Sequence, residues 1–196
     1  MLALDRRTVL LPIDIQRGFA GPTWERRSNH AMEANGQRLL AAWRAHGWPL
    51  IHVRHDSIDP ASTLPPNQPG NAFRPGFEPR PGEAIVGKSV NAAFIGTDLE
   101  LRLRRLDVAT VVLFGLYTDM CVSTTARVAS NLGFRTIVVA DACACCELMD
   151  VDGSLIPAEQ VSRIHLATLR TEFAEVVDTD AAIDAIRNAE RTQAVA

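Results

Sequence analysis

The alternation of short apolar runs with helical patterns is the feature that most restricts the fold of this chain. The runs Thr8–Asp14, Ala109–Gly115 and Arg135–Ala142 consist mainly of aliphatic and β-branched residues. Runs of this length and composition predict strands that are buried on both faces, as in a parallel sheet. Helices that join such strands cover both faces of the sheet through right-handed crossovers. The sequence therefore predicts an α/β protein, with three α/β/α layers and a mainly parallel sheet.

The rest of the chain follows the same alternation. Apolar residues recur at a helical spacing between Ser28 and His46, and Gly47 is placed to end that helix. The other predicted elements are a strand within Trp48–His55, a strand at Ala84–Lys88, a helix opened by a capping box of Thr97 and Glu100, a helix that starts near Cys121, a helix over Ala158–Glu172, a weak strand around Val176 and a terminal helix after Thr179.

One long segment interrupts the pattern. Ser57–Pro81 is rich in Pro, Gly, Asn and Ser and shows no periodicity, which predicts a long loop. A hinge between two domains is the alternative, but neither flank has enough elements to stand alone. Because 196 residues suffice for one substantial core, we expect a single domain over residues 1–196.

Composition excludes several classes of partner. The net charge of −3 and the scattered basic residues argue against binding to nucleic acid or to an anionic membrane. No secretory signal is visible, and no apolar stretch approaches the ~18 residues of a membrane-spanning helix. We therefore expect a cytoplasmic protein whose four cysteines stay reduced rather than forming disulfides.

Three strand ends carry residues that could act together chemically. Ligands of open α/β sheets bind outside the carboxyl ends of the strands. Asp14 ends the first predicted strand, Lys88 ends the third, and Cys121 follows the fourth. A helix N-terminus and a lysine ammonium both favour a thiolate, so we expect a lowered pKa for Cys121, with Asp14 as proton acceptor. Simple packing of a buried cysteine is the alternative.

A resemblance to a known family strengthens the catalytic interpretation. LLPIDIQRGF (Leu10–Phe19), GKSVNAAF (Gly87–Phe94) and GLYTDMCVSTTAR (Gly115–Arg127) resemble the three signature blocks of the isochorismatase-like cysteine hydrolases. That superfamily includes nicotinamidase and N-carbamoylsarcosine amidohydrolase. The order and approximate spacing of the blocks match from Val9 to about Thr179, which implies the isochorismatase-like hydrolase fold.

The resemblance also implies roles for individual residues. Asp14 matches the catalytic aspartate, Lys88 the lysine and Cys121 the nucleophile of the family. A cis peptide bond is implied between Leu116 and Tyr117. The backbone amides of Tyr117 and Cys121 would then form the oxyanion hole.

The expected activity is hydrolysis of a C–N bond in a small amide, ureido or related substrate, through a thioester on Cys121. One alternative is enol-ether hydrolysis, as in isochorismatase itself, which does not require a thiol nucleophile. A catalytically silent binding domain is the other. The resemblance further implies a homodimer or homotetramer, with a small molecule as the other partner.

The signature blocks suggest residues for a pocket wall. Core packing is the alternative for each of these candidate substrate-binding residues, which are Phe19, Trp24, Asn91, Phe94 and Tyr117. Asn91 could orient a substrate amide. The ring of Tyr117 could narrow the pocket, stack on a planar substrate or face an oligomer interface.

The remaining histidines and cysteines are not expected to bind a metal or another cofactor. His52 and His55 lie in a strand, but the Asp-x-His order of metal-binding nicotinamidases is absent and no set of three or four ligands converges. Packed or solvated side chains are expected, with His55 as a pocket residue or a dyad partner of Cys121 as the alternative. Three further thiols follow the fifth predicted strand, and they belong to Cys143, Cys145 and Cys146. They could line the pocket or oxidise adventitiously, and we predict no catalytic role for any of them.

Overall fold

The structure is a computed structural model that describes residues 2–193. Its central element is a parallel sheet of six strands, accompanied by a small antiparallel hairpin. The sheet strands are β1 (Thr8–Ile13), β2 (Ile51–His55), β3 (Ala84–Lys88), β4 (Thr110–Leu116), β5 (Arg135–Ala144) and β8 (Glu175–Val177), and the hairpin strands are β6 (Leu148–Met149) and β7 (Leu155–Ile156). The strand order in the sheet is β3-β2-β1-β4-β5-β8.

Six α-helices connect or follow these strands. They are α1 (Pro22–Glu25), α2 (Met32–His46), α3 (Leu99–Arg105), α4 (Ser123–Asn131), α5 (Ala158–Glu172) and α6 (Thr179–Gln193). A short 3₁₀ helix occupies Pro69–Asn71, and a π-helical turn, Thr118–Val122, precedes α4.

The helices form a layer on each face of the sheet. Helix α2 packs against α6 and β5, whereas α4 packs against α5 and also contacts β5. The two central strands, β1 and β4, are buried along their whole length because helices cover both of their faces. The predicted three-layer α/β/α fold with a parallel sheet is confirmed.

Most predicted elements lie where the sequence placed them. β3 and α5 have the predicted bounds, and Gly47 ends α2 in a left-handed conformation with φ 76°. Helix α2 begins at Met32 rather than near Ser28. Residues 1 and 194–196, which the single-domain prediction includes, lie outside the described residues.

The predicted capping box is wrong. Helix α3 begins at Leu99, and Glu100 pairs with Arg104 one turn later instead of reaching back to Thr97. The Thr97 hydroxyl donates to Ala93 and accepts a weak bond, 3.3 Å long, from the Leu99 amide. The Glu100 carboxylate forms an ion pair on the helix surface and is therefore not available for the capping box.

The order in which strands are added to the sheet reverses between β1 and β4. From β1 it adds β2 and β3 towards one edge, then returns to place β4 beside β1 and adds β5 and β8 towards the other edge. Such a switch point leaves a crevice at the carboxyl ends of the two central strands. The strands approach closely there, because a Cβ on Gly115, at φ 131°, would lie 2.1 Å from the Ile13 carbonyl oxygen.

Among the described residues, no helix combines the length and the apolar character needed to cross a bilayer.

Candidate active site

Four adjacent strand ends converge at the crevice. Lys88 is the last residue of β3 and His55 the last of β2, while Asp14 follows β1 directly. Cys121 lies in the π-helical turn that follows β4, two residues before α4 begins. Because β3, β2, β1 and β4 are neighbours in this order, segments that are distant in the sequence deliver their side chains to one place.

Lys88 bridges the other two residues of the expected catalytic set. Its Nζ lies 2.6 Å from Asp14 Oδ2 and 3.3 Å from Cys121 Sγ. All three residues are buried, with exposed fractions of 2% for Lys88, 0% for Asp14 and 7% for Cys121. The structure thus brings together the carboxylate, the ammonium and the sulfur that the sequence placed at separate strand ends.

Lys88 is also the only lysine in the sequence, and every other basic residue of the Lys and Arg type is an arginine. An ammonium is a compact point charge that can rotate its three donors, whereas guanidinium is a wide planar fork. A closed space between a carboxylate and a thiol therefore suits lysine and not arginine.

His55 makes a further contact in the site. Its Nδ1 lies 3.1 Å from Lys88 Nζ. The expectation that no set of three metal ligands converges is wrong, because ligand atoms of Asp14, His55 and Cys121 all lie within 4.8 Å of one another and could hold a metal ion. The Lys88 ammonium contacts all three of these residues. We therefore interpret these three side chains as the hydrogen-bond partners of the ammonium, which supplies a positive charge at the place where they converge.

The backbone directs Asp14 towards this site. Asp14 has φ 52°, in the left-handed region that aspartate tolerates better than most residues. Its amide donates to Val53 and its carbonyl accepts from the amide of Gln16, so that the turn is held on both sides. The second carboxylate oxygen, Oδ1, is buried and has no hydrogen-bond partner among the described residues. That oxygen can accept a proton.

Burial raises the pKa of Asp14 to about 6, although the charge of Lys88 and its hydrogen bond oppose the effect. The carboxylate is consequently ionised at neutral pH and is a much better proton acceptor than an exposed aspartate.

The predicted lowering of the Cys121 pKa is wrong for the resting site. Burial and the negative charge of Asp14 raise the pKa of this thiol to about 12, and the Lys88 ammonium opposes them only in part. Burial and the charge of the nearby carboxylate outweigh the Lys88 ammonium, the cation on which the expectation of a lowered pKa partly relied. The resting site therefore holds a thiol next to a carboxylate rather than a preformed thiolate.

The backbone around the sulfur has one feature that the resemblance implied. The peptide bond between Leu116 and Tyr117 is cis. The oxyanion-hole role of the Tyr117 and Cys121 amides stays a prediction. Asn91, one of the expected substrate-binding residues, places Oδ1 3.7 Å from Cys121 Sγ, which puts its amide group beside the sulfur.

Three of the expected pocket residues form an aromatic cluster, which comprises Phe19, Trp24 and Tyr117. The Tyr117 ring lies edge-on to Phe19, with centroids 5.0 Å apart, and 6.1 Å from Trp24. Trp24 is buried, and its ring is flanked by the guanidinium groups of Arg27 and Arg74. The burial of Trp24 favours packing, whereas Phe19 and Tyr117 are half-buried, and a substrate-binding role for all three stays a prediction.

Phe94 stacks on Phe134, with ring centroids 6.1 Å apart. Phe134 directly precedes β5 and therefore lies at the amino ends of the strands, whereas the candidate site lies at their carboxyl ends. This contact supports a packing role for Phe94 and lends no support to its predicted place in the pocket wall.

His52 is a structural residue, as expected. Its Nε2 lies 2.9 Å from the Glu83 carboxylate, which also binds Arg44 through two 2.7 Å contacts. His52 and His55 are three positions apart in β2, so they lie on opposite faces of the strand. Only His55 belongs to the site, a distinction that strand periodicity combined with the strand order would have revealed.

The other cysteines lie beside the site rather than in it. Cys143 and Cys145 are fully buried, and their thiols contact the backbone carbonyls of Val139 and Ala158. Cys146 is half-buried and interacts electrostatically with the Tyr117 side chain. None of these thiols contacts Lys88 or Cys121 within the described contacts, and all four cysteines are free.

Comparison with known proteins agrees with this geometry. The Isochorismatase domain model matches residues 8–181. The isochorismatase family protein YrdC of Bacillus subtilis is 38% identical over 181 residues, which cover 92% of this chain and 97% of that protein. A crystal structure of an isochorismatase-family protein from Chromobacterium violaceum has a TM-score of 0.92 at 40% identity, covering 95% of this chain and 97% of its own.

A relative with a named activity is more distant. Ureidoacrylate amidohydrolase RutB of Methylobacterium radiotolerans is 27% identical over 217 aligned positions, which cover 92% of this chain and 80% of that protein. The family match spans nearly all the described chain and includes the segments that carry Asp14, Lys88 and Cys121. The chain therefore belongs to the isochorismatase-like hydrolase family.

Proposed function

We propose that this protein is a cysteine hydrolase that cleaves a C–N bond in a small amide, ureido or related substrate. The observation that carries the proposal is the bridge from Lys88 to both Asp14 and Cys121, at 2.6 and 3.3 Å, among three residues that are all buried. A buried ammonium held between a carboxylate and a thiol is suited to stabilise the thiolate when the proton leaves.

The first half of the reaction forms a thioester. Asp14 takes the thiol proton as the sulfur of Cys121 attacks the substrate carbonyl, and the C–S bond forms. The negative charge passes to the carbonyl oxygen, where the amides of Tyr117 and Cys121 stabilise it. The tetrahedral intermediate then collapses, the C–N bond breaks, and Asp14 returns the proton to the departing nitrogen.

The second half regenerates the enzyme. Asp14, again ionised, takes a proton from a water molecule that attacks the thioester carbonyl. Collapse of the second intermediate breaks the C–S bond and releases the acid, and the proton on Asp14 returns to the sulfur. The raised pKa of Asp14, about 6, suits both the acceptance and the donation of a proton near neutral pH.

The family relationship supports the choice of bond. RutB is named as an amidohydrolase of ureidoacrylate. Enol-ether hydrolysis, the alternative activity, has no need of a thiol nucleophile, and a silent binding domain has no need of a charged pair buried against a thiol. Each of these alternatives leaves the contact between Lys88 and Cys121 without a purpose.

The test is the variant Cys121→Ala, measured by ammonia release from a panel of small carboxamides and ureido compounds. Cys143→Ala is the matched control, because it removes a buried thiol whose described hydrogen bond goes to the backbone carbonyl of Val139 and not to Lys88 or Cys121. We expect the first variant to lose turnover while its thermal unfolding stays cooperative, and the control to keep both. Undiminished hydrolysis by Cys121→Ala would contradict the mechanism.

A further inference from the structure

We propose that His55 is a positioning residue of this site, which accepts the third hydrogen bond of the Lys88 ammonium and thereby holds it between Asp14 and Cys121. The proposal deepens the proposed function, and its consequence for rate rests on that function. The positioning itself is a property of the folded protein and can be measured without any substrate.

The contacts of the ammonium carry the argument. An ammonium has three N–H donors and no acceptor, and a buried charge must satisfy all of them. Lys88 Nζ has three partners, Asp14 Oδ2 at 2.6 Å, His55 Nδ1 at 3.1 Å and Cys121 Sγ at 3.3 Å. The lysine side chain has no exposed surface, so loss of one partner leaves an N–H donor that bulk solvent does not reach in the resting structure. His55 completes the set.

This contact determines the state of the imidazole. Because the ammonium can only donate, Nδ1 of His55 must accept, and the ring proton lies on Nε2. Burial lowers the pKa of His55, and the charge of Lys88 lowers it further. A neutral ring in this tautomer suits the position, whereas an imidazolium would repel the ammonium.

The surrounding residues hold His55 in place. The side-chain amide of Gln16 accepts from the His55 amide at 2.8 Å and donates to its carbonyl at 3.0 Å. Asn71 donates to the same carbonyl, also at 3.0 Å. Gln16 and Asn71 are both buried, so the backbone of His55 is held by groups that cannot turn towards solvent.

The strand order explains why a histidine here can act on Lys88. β2 lies between β3, which ends in Lys88, and β1, which Asp14 follows. The two strand-end residues His55 and Lys88 are direct partners in the β2–β3 register. A lysine side chain that reaches from β3 to Asp14 must therefore pass the end of β2.

The single lysine makes the inference directly measurable. Protein labelled with ¹⁵N-lysine gives one side-chain signal, that of Lys88. We would record its shift and the exchange of its ammonium protons with water in the wild type and in His55→Asn, His55→Gln and His55→Leu. Asn can place Oδ1 close to the position of Nδ1, Gln places its carbonyl oxygen nearer to Nε2, and Leu offers no acceptor.

We expect the wild type and His55→Asn to show the same slowly exchanging ammonium signal. Loss of a buried hydrogen bond should speed exchange at least about tenfold in His55→Leu and also in His55→Gln. An unchanged shift and exchange rate in a folded His55→Leu would overturn the proposal. If that variant does not fold, the comparison of Asn with Gln decides, and identical spectra of these two would overturn it.

The same variants separate this inference from the proposed function. If the protein hydrolyses amides, turnover should fall at least about tenfold in His55→Leu and return in His55→Asn. If no amide is hydrolysed, the proposed function fails, yet the ammonium signal still decides whether His55 positions Lys88.

Discussion

Replacement of Lys88 by methionine tests the electrostatic basis of the site. Methionine is similar in length and apolar, so it can occupy the buried volume while it removes the ammonium that contacts Asp14 and Cys121. Asp14 then keeps its burial but loses the charge that opposes the effect of burial on its pKa. We expect the carboxyl to hold its proton to a higher pH.

The size of the shift follows from the geometry. Two opposite charges about 4 Å apart attract each other by about 4 kcal/mol at an effective dielectric constant near 20, which is a lower bound for the contact of 2.6 Å between Lys88 Nζ and Asp14 Oδ2. That energy corresponds to about three pKa units, which moves Asp14 from about 6 to about 9. At about pH 7.5 the ionised fraction would fall to roughly 3%, so activity should drop at least about 30-fold.

The assay is the pH profile of kcat/KM, and its acid limb should move from near pH 6 in the wild type to near pH 9 in Lys88→Met. Arg102→Met is the matched control, because it removes a positive charge that pairs with Asp98 on the exposed surface of α3. The control should leave the acid limb unchanged. An acid limb that stays near pH 6 in Lys88→Met would refute the assignment of Asp14 as the proton acceptor.

Two further predictions concern stability. Hydrogen bonds from Arg44, a backbone amide and His52 outweigh burial and lower the pKa of Glu83 from 4.5 to about 2. This contribution is therefore present above pH 4.5 and is lost as the pH falls through 2, so Glu83→Gln should cost about 2–3 kcal/mol in urea unfolding at pH 7 and little near pH 2. A cost independent of pH would contradict this. Gly115→Ala puts a Cβ 2.1 Å from a backbone carbonyl and should prevent folding or cost more than about 3 kcal/mol. Gly133→Ala, at φ 83° in open space, should cost only about 1–2 kcal/mol, and equal effects in thermal unfolding would show that the close approach is unimportant.

The sequence predicted the elements well wherever one physical signal dominated. Short, continuous apolar runs predicted β1, β4 and β5, and helical spacing predicted α2. The prediction failed where two local interactions competed. Glu100 does not form the predicted capping box with Thr97, because its carboxylate pairs with Arg104, one turn later in α3.

The candidate site shows the same division. Asp14, Lys88 and Cys121 could be chosen from the sequence because each follows or ends a predicted strand. The role of His55 could not be predicted from the sequence, because the sequence alone does not distinguish His52 from His55. Only the position of β2 between β3 and β1 brings His55 next to Lys88. The direction of the Cys121 pKa shift was missed because it depends on burial.

By itself, the sequence determined the main strands of the sheet and the longer helices, because periodicity and strand-end chemistry are local properties, whereas the short helix α1 and the β6–β7 hairpin carry no such periodic signal. It also limited the reactive residues to a few strand ends. Tertiary structure decided the order of the strands, and with it which side chains meet. It also decided the charge state of the thiol, because the burial and the distances that control ionisation exist only after the distant segments have packed together.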